Sequence, residues 1–154
     1  MAGTTAYSTA EVKAEVQRIL GASYNEVSVT KDGDWAIRQG SARAFVQVLG
    51  RGEGDAAYTQ INVWAITNSE LKPSEELFKY VCIDGCQYIW GHAYAFEDGE
   101  NITVGVRQRI LGDYLADDEL TRAVGGIMGA ADDFDDEVKK RFGGRRYYEE
   151  SDAS

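Results

Sequence analysis

The chain has 154 residues, 44% hydrophobic and 27% charged, a globular composition for one domain that can bury a core without staples. Its 26 acids against 16 bases give a net charge of -10, which repels nucleic acid and anionic lipid, and no apolar run approaches the roughly 20 residues of a membrane span. Met1-Ala2-Gly3-Thr4-Thr5 lacks the charged start and apolar stretch of a signal peptide, and two cysteines make no disulfide framework, so a cytoplasmic, soluble, single-domain protein is expected.

In chain order, Ser8 followed by Glu11 is a capping box, and Val12, Val16, Ile19 and Leu20 recur at helical spacing until Gly21, predicting a helix over Ser8 to Leu20. Val27–Thr30 is β-prone, Asp32-Gly33 is a hairpin turn, and Trp35 and Ile37 alternate with Ala36 and Arg38. Ala42 to Leu49 alternates Ala44, Val46 and Val48 with Arg43, Phe45 and Gln47. After a glycine-rich loop, Tyr58 to Ile66 alternates Ile61, Val63 and Ala65 with Gln60, Asn62 and Trp64.

Pro73 opens a second helix, with Leu77, Phe78, Val81 and Cys82 as its stripe and Gly85 as its stop. Gln87 to Phe96 is a predicted strand, turned at Asp98-Gly99 into Asn101 to Leu111, with Ile102, Val104, Val106 and Ile110 in phase. The longest helix runs from Asp117 to Phe142, with its apolar stripe from Leu120 to Phe142. Gly125, Gly126 and Gly129 each cost it about 1 kcal/mol relative to Ala, which implies close packing of its backbone. The expected order is helix, three strands, helix, two strands, helix: an α+β single domain, α-β-β-β-α-β-β-α, with an antiparallel sheet covered by helices. Residues 1–7 are read as an N-terminal extension, 8–144 as the domain and 145–154 as a charged, frayed tail. From Leu111 onward there are twelve acids and six bases, so much of the excess charge is C-terminal.

Signs of catalysis are few. No nucleophile elbow, Walker loop or dinucleotide fingerprint occurs, so no cofactor is expected. The lone His92 would have to work with an acid such as Asp84 or Glu97. Cys82 and Cys86, with His92 and Asp84, lack the four clear ligands of a structural zinc site, and Cys82 reads as a small core residue. Asp132–Glu137 lacks the glycine and alternate-residue spacing of a calcium loop and reads as a solvated helix face.

The last hairpin is more informative. Tyr88, Trp90, His92, Tyr94 and Phe96 share one parity of their strand, with Ile89, Gly91, Ala93 and Ala95 on the other. On the partner strand Arg107 and Arg109 lie opposite in phase to the valines. Two packings satisfy this pattern. Either the aromatics are the core beneath the last helix, or Tyr88, Trp90, His92 and Tyr94 join Phe45, Trp64, Arg107 and Arg109 on the sheet face opposite the helices. Aromatic and Arg side chains mixed in this way are the composition of an interaction hot spot.

The hairpin Tyr88-Ile89-Trp90-Gly91-His92 … Glu97-Asp98-Gly99 … Val104-Gly105-Val106 leads to Ile110-Leu111-Gly112-Asp113. A helix comes next with Ala130-Ala131-Asp132-Asp133-Phe134-Asp135-Asp136 and ends in Phe142-Gly143-Gly144. This arrangement resembles the YbjN-like family of bacterial proteins and, through it, the type III secretion chaperone-like fold. The resemblance implies a small acidic protein, a dimer in many such chaperones, that binds extended client segments and is not an enzyme. The expected function is a chaperone-like or adaptor module for a protein or peptide client, with a homodimer through the same face as the other possible use. The acid excess suggests basic client segments. The alternative is a small-molecule or enzymatic domain built on His92.

Overall fold

The computed structural model describes residues 8–148. Helix α1 is Thr9–Ser23, and its N-terminus is the expected capping box: the Ser8 hydroxyl accepts from the Glu11 N–H while the Glu11 carboxylate accepts from the Ser8 N–H. Gly21 does not end it. The helix runs two residues further, with Gly21 on an open face. Strands β1 (Glu26–Val29), β2 (Trp35–Gln39), β3 (Ala42–Arg51) and β4 (Tyr58–Leu71) come next. The first strand block therefore holds four strands, because the short β1 pairs with β2 as a strand in its own right, Val27 opposite Ile37. Then come α2 (Glu75–Lys79), β5 (His92–Asp98), β6 (Asn101–Leu111), α3 (Asp117–Phe142) and the two-residue β7 (Arg145–Arg146).

The seven strands form one antiparallel sheet in the order β1-β2-β3-β4-β6-β5, with β7 pairing the far end of β4 at Asn68 and Ser69. Strand parity decides which face the helices cover. Ile61, Val63 and Ala65 of β4 stand beside Val104 and Val106 of β6 and Ala44, Val46 and Val48 of β3, all buried. Burying each Val or Ile is worth about 1.5–3 kcal/mol. The other parity of β4 and β6 carries Trp64, Arg107 and Arg109, and burying an unpaired guanidinium costs several kcal/mol. The helices therefore pack on the Val/Ile face. α1 contributes Val12, Val16, Ile19 and Leu20, and α3 contributes Leu120, Val124, Ile127, Phe134 and Val138. Helix α3 has the predicted bounds and stops at Gly143, whose φ of 73° suits a residue without a side chain.

The second helix departs from its predicted stripe. After Lys79 the backbone widens into one π-helical turn, Tyr80–Asp84, closed by the Gly85 N–H donating to Tyr80 O at 3.1 Å. The extra residue in that turn rotates the side chains beyond it about the helix axis. Leu77, Tyr80 and Val81 are buried, whereas Phe78 and Cys82 are exposed, so Cys82 is not a core residue. The strand predicted from Gln87 begins only at His92. Residues 85–91 are turn and bend, and Gly91 adopts φ 80° hard against Arg107 O and the Ile127 side chain, where a Cβ has no room.

That bend throws Trp90 onto the last helix. A Cβ on Gly126 would lie 2.3 Å from Trp90 Cγ, so Gly126 is the notch that receives the indole. This is the close backbone packing that the glycines of α3 imply, though only for Gly126: Gly129 meets nothing within 4 Å. Residues 145 and 146 are also not a tail. They extend the sheet, and Arg146 Nε binds Asp135 of α3 at 2.8 Å while a second nitrogen binds Asp136. The expected 1–7 extension and residues 149–154 of the tail lie outside the described residues.

Gly126→Ala should destabilise the fold by about 1–3 kcal/mol, because the methyl overlaps Trp90 and this outweighs its roughly 1 kcal/mol propensity gain. Gly129→Ala should instead stabilise by up to about 1 kcal/mol. Urea denaturation of the two variants checks the contrast.

Candidate functional site

The sheet face opposite the helices is built by alternate residues of four strands. β3 supplies Arg43, Phe45 and Gln47, and β4 supplies Gln60, Asn62, Trp64 and Ile66. β6 supplies Gly105, Arg107 and Arg109, and β5 supplies His92, Tyr94 and Phe96. The registers Phe45↔Trp64↔Arg107↔His92 form one continuous row across all four strands.

Within that row Phe45 and Trp64 stack at 5.4 Å with their planes 24° apart, and both are only partly buried. Arg107 lies over the Tyr94 ring at 4.9 Å, and Tyr94 stacks on Phe96 at 6.1 Å. The Tyr94 ring crosses Gly105, where a Cβ would come within 3.0 Å of it. Burial pushes the Tyr94 hydroxyl up to about 12, so it remains a neutral donor at physiological pH. Phe96 keeps 42% of its surface exposed. A cleft of about 410 Å³ opens at the β1–β3 end of the sheet, lined in part by Ser28, Ala36, Arg38, Arg43 and Phe45.

The predicted site residues are therefore divided. Phe45, Trp64, His92, Tyr94, Arg107 and Arg109 meet on the open face. Tyr88 and Trp90 do not: the bend before β5 turns them to the helix layer. Tyr88 packs edge-on against Phe134 at 6.1 Å, its hydroxyl pushed up to about 12 by burial, and Trp90 seats on Gly126. Each of the two packings thus holds for part of the aromatic run. Two further residues belong here that were not expected. Arg43 shares the parity of Phe45, a signal present in the sequence. The Tyr148 ring lies 4.6 Å from the Arg43 guanidinium, a contact invisible in a stretch that reads as tail.

The sign of the face also differs from that of the chain. It carries Arg43, Arg107 and Arg109, with the Asp34 carboxylate accepting from Gln47 at 3.2 Å, and at the Arg43 end Asp132, Asp135 and Asp136 of α3 line one cavity with Arg43 and Tyr148. The net charge of the whole molecule is thus a poor guide to what this surface attracts.

His92 belongs to the same electrostatic setting. Arg107 Nε donates to His92 Nε2 at 3.3 Å, which requires that nitrogen to be deprotonated. Burial, then the charges of Arg107 and Arg109, lower its pKa below 6.5. Neither acid considered for a catalytic pair faces it: Glu97 lies on the opposite parity of β5, and Asp84 ends the π turn. Among the described residues no three His, Cys, Asp or Glu side chains converge as metal ligands.

The model of a family described as "T3SS (YopN, CesT) and YbjN peptide-binding chaperone 1", TY-Chap1, matches residues 7–150. The chain belongs to this family. No curated protein matches the chain. TY-Chap1 membership agrees with the α+β single domain and makes the molecule a protein- or peptide-binding module. No helix among the described residues is long and apolar enough to cross a membrane.

An imidazole with a lowered pKa sits in an environment that favours its neutral form. His92 therefore contributes no pH dependence above about 6.5 and becomes a destabilising element as the pH falls below that value, where the unfolded chain takes up the proton first. An NMR titration of the single histidine should give a midpoint below 6.5, and Arg107→Ala should move it upward; a midpoint unchanged by the substitution would contradict this electrostatic account.

Proposed function

We propose that the open sheet face is the client-binding surface of this TY-Chap1 domain and that it takes up an extended polypeptide segment. The observation that carries this reading is the uncovered row in which Phe45 stacks on Trp64 beside Arg107 and its neighbour Tyr94. Rigid aromatic faces bury apolar client side chains at little entropic cost, and planar guanidiniums bind the client's carbonyls and carboxylates. β5 is an edge strand, paired among the described residues only with β6, so main-chain pairing along His92–Asp98 adds affinity without regard to sequence.

Binding alone, without bond making or breaking, is the action we assign to it, in the cytoplasm. His92 in this reading is a hydrogen-bond acceptor that orients Arg107 and not a general base, since its neighbours are two cations. A homodimer through the same face is disfavoured on charge: it would bring a surface bearing Arg43, Arg107 and Arg109 against a second copy of that surface.

Extended peptides selected on an array and titrated by fluorescence anisotropy test the assignment. Trp64→Ala, Tyr94→Ala and Arg107→Ala should each weaken binding by roughly tenfold or more, the effect of losing a hot-spot side chain. Tyr114→Ala, an exposed ring after β6, should leave affinity unchanged. Equal affinities for all four variants would remove the face from consideration. Light scattering of the intact chain, with an Arg107→Glu variant alongside, separates client binding from self-association.

A further inference from the structure

The bend that carries Tyr88 and Trp90 to the helix layer leaves a gap in the sheet. β6 pairs with β4 as far as Leu111, but its ladder with β5 ends at Arg107, opposite His92. Residues 108–111 therefore have a partner strand on one side only among the described residues. Exposure follows the gap. Thr103 and Gly105 share the parity of Arg107 and Arg109, and both are buried where Phe96 and Tyr94 of β5 stand opposite them. Arg109 and Leu111, past the end of β5, are exposed, Leu111 by 47%. A strand edge whose N–H and C=O groups lack a ladder is a template for one more strand, which here would continue the line of β5.

Charge indicates what such a strand carries. Arg107 and Arg109 stand two residues apart on one face, about 7 Å along the strand, where like charges repel. No ion pair among the described residues uses either of them. The Asp34 carboxylate accepts from Gln47 just ahead of β2, three strands or about 14 Å from β6. Asp132, Asp135 and Asp136 share their cavity with Arg43, two strands over on β3. Arg107 Nε already donates to His92 and its plane lies over Tyr94, which leaves its two terminal nitrogens to an incoming acceptor.

We propose that residues 108–111 of β6 take up an acidic stretch of the client as an added strand in line with β5, with one carboxylate between Arg107 and Arg109 and an apolar side chain two positions on, against Leu111. The inference rests on the client-binding role given to this face above and names the chemistry of that client. It reverses the sign of partner expected from the net charge, because two arginines without an acid, and not the acidic remainder of the molecule, meet the added strand. Neutral His92 is a positioning residue here, holding Arg107 by Nε.

The test uses a fluorescein-labelled synthetic peptide of alternating threonine and valine in which one central valine is replaced by glutamate, with glutamine and lysine versions as controls, titrated against the full chain. The glutamate probe should bind about tenfold more tightly than the glutamine probe, and that advantage should shrink as salt rises. Arg109→Ala, at an exposed position, should remove the advantage and Arg109→Lys should keep part of it, with thermal melts establishing that both variants are folded. The glutamate probe should also raise the NMR titration midpoint of His92, because its carboxylate offsets the charges of Arg107 and Arg109, the cations that lower it. The glutamine probe should leave that midpoint in place. Amide hydrogen exchange at residues 108–111 should slow in the complex.

Equal affinities for the three probes, preference for the lysine version, or no binding of the glutamate probe at millimolar concentration would overturn the acidic client. Slowed exchange confined to His92–Asp98 would overturn the added strand beside β6. Array-selected peptides distinguish the two levels of the argument. If they bind and remain sensitive to Trp64→Ala while exchange at residues 108–111 is unchanged, this inference fails and the face survives. If they bind without regard to Trp64, Tyr94 or Arg107, the face itself fails.

Discussion

Two strands with two different jobs on their two sides determine the rest of the molecule. β4 and β6 lie side by side in the middle of the sheet, and each alternates small or branched apolar residues with aromatic, amide and guanidinium side chains. The apolar parity recruits every helix to one side, because only there does burial return free energy. The other parity is left uncovered because desolvating Arg107 and Arg109 under a helix would cost more than the neighbouring rings could return. An interaction surface thus arises as the complement of the core, with no loop or insertion needed to display it.

The helix layer in turn depends on a local device at the start of β5. Residues 85–91 leave the plane of the sheet because Gly91 takes a left-handed conformation and Gly85 sits close to Ala93 and Val81 O. Trp90 and Tyr88 then complete the core from above, against Gly126 and Phe134, instead of extending the open face. The π turn after α2 works toward the same end: it places Tyr80 on Phe134 at 5.7 Å and leaves the two cysteines in solvent. Aromatic mass is divided between holding the helices and meeting a partner.

Much of this is legible in the residues. The capping box at Ser8, the bounds of α3 and the phases of β3, β4 and β6 come from local chemistry and periodicity, and these phases are what assemble Phe45, Trp64, Arg107 and Arg109 on one face. The features that periodicity misses depend on tertiary contact. An unbroken alternation from Tyr88 to Phe96 looks like one strand, and nothing local reveals that Gly91 breaks it to fit Ile127 and Arg107 O. The π turn adds a residue without any marker in composition. β7 is two residues long, too short for a periodic signal, and is held by Arg146 reaching Asp135 and by pairing with a bulged segment of β4. Charge misleads in a different way: a sum over the chain has no sides, whereas a sheet does.

The strict division of β4 and β6 into two faces also bears on how this domain can change over time. Substitutions on the uncovered side can retune recognition one position at a time with little disturbance of the core. A single inserted or deleted codon in the middle of either strand is another matter, since it would swing Trp64 or Arg107 inward and Val63 or Val106 outward in one step. Changes of length are therefore expected in places such as the glycine-rich loop between β3 and β4 or at the bulges near the end of β4, and the paired middles of the central strands are expected to diverge by replacement.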